Sequence, residues 1–117
     1  MNPYILVGIG GAIGAILRFA ISETMDTHWG TLTVNAVGSL LLGICMAALA
    51  SEMISKEMAI LLGSGILGAF TTMSTFSVET IELWRDTPSS AITYVAITMV
   101  LCPILALIGW KAIEISS

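Results

Sequence analysis

The sequence predicts an all-α membrane protein with four transmembrane helices. Its residues are 56% hydrophobic and only 10% charged, whereas soluble domains carry about 25% charged residues. Each of four apolar segments has about the 20 residues with which a helix crosses a bilayer; they lie at approximately 4–21, 31–50, 58–84 and 90–113. Because their connections are short, we expect a single four-helix domain over residues 1–117. No cleavable signal peptide is expected, since no Lys or Arg precedes the first segment.

The few basic residues give no preferred orientation in the membrane. Lys56 and Lys111 fall on one side of the bilayer, and Arg18 and Arg85 fall at or near the other. Orientation normally follows an excess of Lys and Arg on one side. One expectation is therefore insertion both ways, with opposite copies meeting as an antiparallel dimer; the alternative is one orientation fixed by other signals. Four helices barely enclose a pathway, which favours a closed homo-oligomer.

The first helix carries two glycines and an arginine on one face. Gly10, Gly14 and Arg18 are spaced by four residues, so they lie one above the other. Small residues at this spacing let helix backbones approach closely, which predicts a structural role for the two glycines. An arginine on such a face is expected to find an interface, a helix C-terminus or a carboxylate. The alternative is that Arg18 simply reaches up to the membrane surface.

Polar stripes also mark the second and fourth helices. Thr31, Asn35, Ser39 and Gly43 follow one another at steps of four on the second helix, as do Tyr94, Thr98 and Cys102 on the fourth. An amide inside a membrane needs hydrogen-bond partners, so Asn35 indicates either an interhelical bond or a polar pathway.

The third apolar segment contains a run of hydroxyl residues, GAFTTMSTFSVE from Gly68 to Glu79. In the hydrocarbon core, such a run survives only where it is buried in protein or lines a polar cavity. We predict a helix broken near 71–75, close to the bilayer midplane; the alternative is a continuous helix whose hydroxyls bond to its own carbonyls. Glu79 follows the run and is expected to be a proton carrier or a hydrogen-bond anchor.

The three stripes together predict a narrow track of neutral hydrogen-bond donors. Such a track suits a small, strongly hydrated ion or molecule. An enzyme is not expected, because the sequence shows no nucleophile–base pair and no metal-ligand cluster, and a nucleic-acid partner is not expected either. Cys45 and Cys102 have no metal or redox spacing, and the simplest interpretation is that they are small packing residues.

These motifs resemble those of the Fluc, or CrcB, family of bacterial fluoride channels. The resemblance rests on the glycine-rich first helix ending in Arg18, on GTLTVN at Gly30–Asn35, and on the hydroxyl run, and it covers essentially the whole chain. It implies a passive channel exporting fluoride, in the cell inner (plasma) membrane and in contact with its lipid. It further implies an antiparallel, dual-topology homodimer with two pores. A sodium ion would lie at the dimer centre, held by the backbone carbonyls of Gly68 and Thr71.

The resemblance and the stripes together nominate the pore residues. By resemblance, Asn35 donates to the ion, a positive ring edge of Phe76 faces it, and the hydroxyls of Ser74 and Thr75 form a track ending at Glu79. The full predicted set is Asn35, Met73, Ser74, Thr75, Phe76, Glu79, Tyr94, Thr98 and Cys102. Two positions depart from the family pattern: Met73 replaces the first of two phenylalanines, and Cys102 replaces a serine that is often found on the fourth helix.

Two other functions fit some of these features. A proton-coupled exporter of the small multidrug-resistance type shares four short helices and dual topology, but it requires a membrane-embedded carboxylate in the first helix. That helix has none, and Glu79 is the only candidate elsewhere. A structural or assembly subunit, whose stripes serve only to hold helices together, is the third hypothesis.

Overall fold

The computed structural model describes residues 1–117 and is helical throughout. Its four long helical spans are each long and apolar enough to cross a membrane. The third span, Lys56–Asp86, is composed of several consecutive pieces. In chain order, the elements are α1 (Pro3–Thr24), α2 (His28–Ala50), α3 (Lys56–Ala59), a π-helical segment (Ile60–Leu67), α4 (Gly68–Phe70), α5 (Met73–Asp86) and α6 (Pro88–Ser116).

Each observed span contains the corresponding apolar segment and extends a few residues beyond it. At the N-terminal ends of the first three spans, a side chain caps the first turn, whereas the fourth span begins with Pro88 and has no side-chain cap. The Tyr4 amide donates to Asn2 Oδ1 over 2.8 Å, and the Met58 amide donates to Ser55 Oγ over 3.1 Å. Because capping residues are polar, a hydropathy pattern places the helix start too late.

The third span departs from regular α-helix twice. Ile60–Leu67 is π-helical, a wide conformation that usually occurs only as a single turn. Further along, Thr71 and Thr72 have extended backbones, with φ/ψ of −83°/154° and −148°/119°. These two residues separate α4 from α5, so that new backbone groups become available in the middle of an otherwise helical span.

Glycines set how closely the helices pack. α1 lies against the π-helical segment, and α2 lies against α6. A β-carbon on Gly10 would come within 2.5 Å of the Leu61 carbonyl oxygen, and one on Gly14 would overlap the Ile66 carbonyl oxygen. Gly43 plays the same role on α2, where it faces the Ala106 carbonyl. The structural role predicted for Gly10 and Gly14 thus corresponds to backbone-to-backbone contact with the third span.

We expect Gly14→Ala to destabilise the protein by about 1–3 kcal/mol, because the added methyl group overpacks a backbone contact that cannot easily relax. Gly8→Ala is the matched control, since nothing lies within 4 Å of a β-carbon at that position. There the same change is expected to be neutral or slightly stabilising, as alanine favours a helix over glycine. Thermal unfolding in detergent, followed by helical circular dichroism, measures both. An equal effect at the two positions would contradict the packing role of Gly14.

Candidate functional site

The amide of Asn35 clasps the extended residue Thr72. Asn35 Nδ2 donates to the Thr72 carbonyl over 3.1 Å, and the Thr72 amide donates to Asn35 Oδ1 over 2.8 Å. Asn35 is only 9% exposed. Its NH2 group has two hydrogens, of which the structure pairs one, so the second can donate to a ligand. The two-sided clasp thus fixes α2 to the start of α5 and leaves a donor available.

The extended residues deprive two carbonyls of their usual helical partners. In a continuous α-helix the Gly68 carbonyl would accept from the Thr72 amide, and the Thr71 carbonyl would accept from the Thr75 amide. Instead the Thr72 amide donates to Asn35, and the Thr75 amide donates to Thr72 Oγ1 over 3.2 Å. The Gly68 and Thr71 carbonyls are therefore released from helical bonding at this point.

Arg18 meets a third carbonyl of the same region. Its Nε donates to the Ala69 carbonyl over 3.1 Å. In a continuous helix that carbonyl would accept from the Met73 amide. Of the partners considered for Arg18, the structure shows a helix C-terminus, because Ala69 lies in the last turn of α4. Gly10 and Gly14, on the same face of α1, pack against the π-helical segment that precedes α4.

A groove of about 320 Å³ opens beside the clasp, between α2, α5 and α6. It brings together five of the predicted pore residues from three helices, in agreement with the pattern of the stripes. They are joined by other residues of the extended segment and its surroundings. The lining comprises Asn35, Ser39, Leu42, Thr71, Thr72, Met73, Phe76, Thr98, Met99, Cys102 and Pro103.

Thr98 contributes an unsatisfied hydroxyl to this groove. The residue is only 6% exposed, and its Oγ1 is the one buried side-chain oxygen or nitrogen with no hydrogen-bond partner. A buried polar group without a partner costs about 1–3 kcal/mol. Its presence in the groove lining indicates a place where a hydrogen-bonding ligand or water stabilises the protein.

Glu79, Tyr94 and Phe76 form a second, adjoining cluster. The Tyr94 hydroxyl donates to Glu79 Oε1 over 3.1 Å, and the Phe76 and Tyr94 rings lie 5.1 Å apart between centroids. The His28 ring packs edge-on against Tyr94 at 4.8 Å. Both Phe76 and Tyr94 are buried. Glu79 is therefore anchored by a hydrogen bond to Tyr94 rather than left alone.

Two of the predicted hydroxyl residues lie away from the groove. Ser74 is exposed on α5, and Thr75 lines a separate small pocket of about 60 Å³ together with Arg18, Ser22 and Thr31. Both lie on the surface of the single subunit, so this chain alone does not join them to the groove that contains Asn35.

Thr72 is the site residue that sequence reasoning did not nominate. Its backbone bonds to Asn35 on both sides, and its hydroxyl caps α5 by accepting from the Thr75 amide. Threonine is a favoured N-cap residue, so a threonine directly before the predicted second half of the third helix could have indicated that Thr72 caps this helix. His28, which packs on Tyr94, was likewise not among the predicted site residues.

Taken together, the fold and the groove define a small multi-pass membrane protein with a groove lined by apolar and neutral hydrogen-bonding groups. The groove lining has no charged side chain, and nowhere does the chain gather three or more His, Cys, Asp or Glu residues. Such a lining has the chemistry to accommodate a small polar solute.

The chain belongs to the CrcB family. The family's sequence model, described as CrcB-like protein, Camphor Resistance (CrcB), matches residues 5–110. A relative from Thermotoga petrophila is 39% identical over 104 residues, which cover 82% of each chain, and is named fluoride-specific ion channel FluC. Relatives of the same name occur in Thermotoga maritima, 41% identical with 78% of each chain covered, and in Shewanella loihica, 38% identical with 97% covered.

These matches confirm the family resemblance that the motifs indicated. They also confirm that the chain is not an enzyme, since its family is one of ion channels.

Proposed function

We propose that this chain forms a passive, fluoride-selective channel. The name shared by its relatives supports a fluoride channel. The observation that carries the proposal is the clasp between Asn35 and Thr72, which pairs one of the two amide hydrogens of Asn35 and leaves the other available, in a residue that lines a groove without charged side chains. Such a hydrogen can replace water around an anion without binding it so tightly that it cannot leave.

The groove supplies the other groups that fluoride requires. The Thr98 hydroxyl has no partner in the protein, and the Cys102 thiol lies one turn further along the same face of α6. The Phe76 ring carries a positive edge that can face an anion. Close replacement of the hydration shell, in a bore narrowed by Met73, would favour fluoride over larger anions.

The direction of flow follows from the chemistry of hydrogen fluoride. The neutral acid crosses membranes, enters the cell and dissociates, so that fluoride accumulates inside. A passive channel in the inner membrane would let the anion leave down its gradient, and no energy source is required.

The functional unit that we propose is an antiparallel, dual-topology homodimer with two pores. The balanced count of Lys and Arg supports insertion in both orientations. The exposure of Met73 and Ser74 also supports a dimer. A second subunit packed on this surface would bury it and would enclose the Ser74 and Thr75 hydroxyls in the same pathway as the groove. The remaining apolar surface would face lipid.

We also propose that the third transmembrane helix is broken near the bilayer midplane and that the break holds a structural sodium ion. The carbonyls of Gly68 and Thr71 are suitable ligands, because the Thr72 and Thr75 amides that would otherwise bond to them donate elsewhere. Carbonyl oxygens are the hard donors that alkali cations prefer. When bound, the ion would supply fixed positive potential near the anion path.

A proton-coupled exporter is less well supported, because the first helix has no carboxylate and Glu79 bonds to Tyr94. We expect Glu79→Gln to retain fluoride efflux in liposomes without a pH gradient, slowed by about tenfold at most. The glutamine oxygen can still accept from Tyr94, and a neutral hydrogen bond is worth only about 1 kcal/mol less than a charged one.

Fluoride efflux from liposomes, with equal pH inside and outside, measures this expectation for the wild-type protein and Glu79→Gln. Glu82→Gln is the matched control, because Glu82 is exposed on the same helix and makes no ion pair. The exporter would be favoured instead if wild-type transport required a pH gradient and if Glu79→Gln abolished it while Glu82→Gln did not.

A further inference from the structure

Sulfur-containing side chains gather around the groove. Met73, Met99 and Cys102 all line the cavity of about 320 Å³. A second groove of about 560 Å³ adjoins it along α2 and α6, shares Cys102 with it, and adds Met46. One thiol and three thioethers therefore line two neighbouring cavities that share part of their walls, and the other lining residues are apolar or neutral.

The two cysteines of the chain differ sharply in their surroundings. Both are free thiols. Cys45 is buried and packs against Ala59 and Leu67 in the small core cluster, whereas Cys102 is half-buried and faces both grooves. A small ion that enters the groove therefore meets Cys102 and does not meet Cys45.

The turn of α6 that carries Cys102 also holds a hydroxyl without a hydrogen-bond partner and a carbonyl without its usual helical donor. Thr98, four residues before Cys102 and on the same face, has a buried hydroxyl without a partner. Pro103 has no amide hydrogen, so the Met99 carbonyl lacks its helical donor. This turn thus brings an unpartnered hydroxyl and two sulfur-containing side chains to one cavity, and a group without a partner in a cavity wall indicates room for a bound species.

We propose that this turn binds a soft monovalent metal ion, of which Cu(I) and Ag(I) are examples. Thiolate and thioether ligands select such ions over sodium, magnesium or zinc. The thiol of Cys102 loses its proton to the solvent and its sulfur binds the metal, so that one metal ion enters and one proton leaves with no change of oxidation state. Met99 and Met73 add thioether sulfur.

A metal ion at this turn would lie in the same groove as Asn35 and Phe76. If the groove is the fluoride pathway, which is the proposed function, the bound metal would obstruct it. The metal site itself does not depend on that function, because the ligands are present whether or not fluoride passes.

Silver binding by the purified full-length protein tests the site without reference to transport. Calorimetric titration with silver nitrate in a chloride-free detergent buffer should give one bound ion per chain for the wild type. Cys102→Ala should abolish this binding, and Met99→Leu should weaken it by about tenfold or more, as expected for loss of a group that supports a metal site. Cys45→Ala is the matched control and should bind as the wild type does.

Tight silver binding by Cys102→Ala, or its loss in Cys45→Ala, would overturn the proposal. An unchanged affinity for silver in the double variant Met99→Leu/Met73→Leu would also overturn it, because Cys102 would then bind the metal without the thioethers. The same titration at a higher pH should show tighter binding, since the proton that leaves is bound less strongly there.

Fluoride efflux separates this inference from the proposed function. Micromolar silver should slow efflux through the wild type and Cys45→Ala but not through Cys102→Ala, with each rate compared with that of the same variant before silver is added. Silver bound at Cys102 in a protein that never conducts fluoride would support the metal site and contradict the channel. Conduction with no silver bound at Cys102 would contradict the metal site alone.

Discussion

Asn35→Asp should slow fluoride efflux by at least about 100-fold. Aspartate keeps the oxygen that accepts from the Thr72 amide but loses the NH2 group that donates to the Thr72 carbonyl and to an anion. It also places a negative charge beside the path. Two like charges about 4 Å apart in a partly polar environment repel by roughly 4 kcal/mol, and a barrier raised by that amount slows a rate by roughly a thousandfold.

The control for this variant is Thr33→Val, on the same helix two residues away. Thr33 is exposed, and its hydroxyl donates to the Trp29 carbonyl within α2, so no effect on flux is expected. Both variants must elute from size-exclusion chromatography as the wild type does. Wild-type fluoride flux through a well-folded Asn35→Asp protein would remove the assigned role of Asn35.

Phe76→Ile should slow fluoride efflux by about ten- to a hundredfold. Isoleucine has no positive ring edge to offer an anion, and it removes the contact between the Phe76 and Tyr94 rings. Loss of the contact with Tyr94, worth about 0.5–1.5 kcal/mol beyond the buried area, alone slows a rate by about two- to tenfold, and loss of the ring edge toward the anion adds to this effect. Because Tyr94 in turn holds Glu79, loss of the ring also loosens the adjoining cluster.

Phe19→Ile provides the same substitution at a position where the ring is exposed on α1. We expect the flux of that variant to match the wild type. If Phe76→Ile conducted as fast as Phe19→Ile, the ring edge would have no part in conduction, and a role in packing alone would remain for Phe76.

Local patterns predicted the class of protein and the faces of its helices. Hydropathy over windows of about 20 residues identifies spans, and each of the four predicted segments lies inside one of the four observed spans. Steps of four residues placed Gly10, Gly14 and Arg18 on one face, and the structure shows that this face packs on the third span. Such predictions succeed because they depend only on residues near one another in sequence.

Pairings between distant residues could not be predicted in the same way. Periodicity states which residues share a face, but not which faces meet or at what height. The bonds of Arg18 to Ala69 and of Asn35 to Thr72 join residues 51 and 37 positions apart. The cap of α5 at Thr72 and the position of Thr75 in the pocket beside Arg18 likewise depend on how the third span packs against the other helices. The hydroxyl run predicted a polar segment near 71–75, but it did not predict which of its side chains line the groove.

The most direct test of a fluoride-selective channel is the simultaneous efflux of fluoride and chloride from liposomes containing the purified protein, recorded with ion-selective electrodes. The groove of neutral donors around Asn35 predicts rapid loss of fluoride while chloride stays inside. Retention of fluoride by liposomes that hold well-folded protein, or release of both anions at similar rates, would contradict the account.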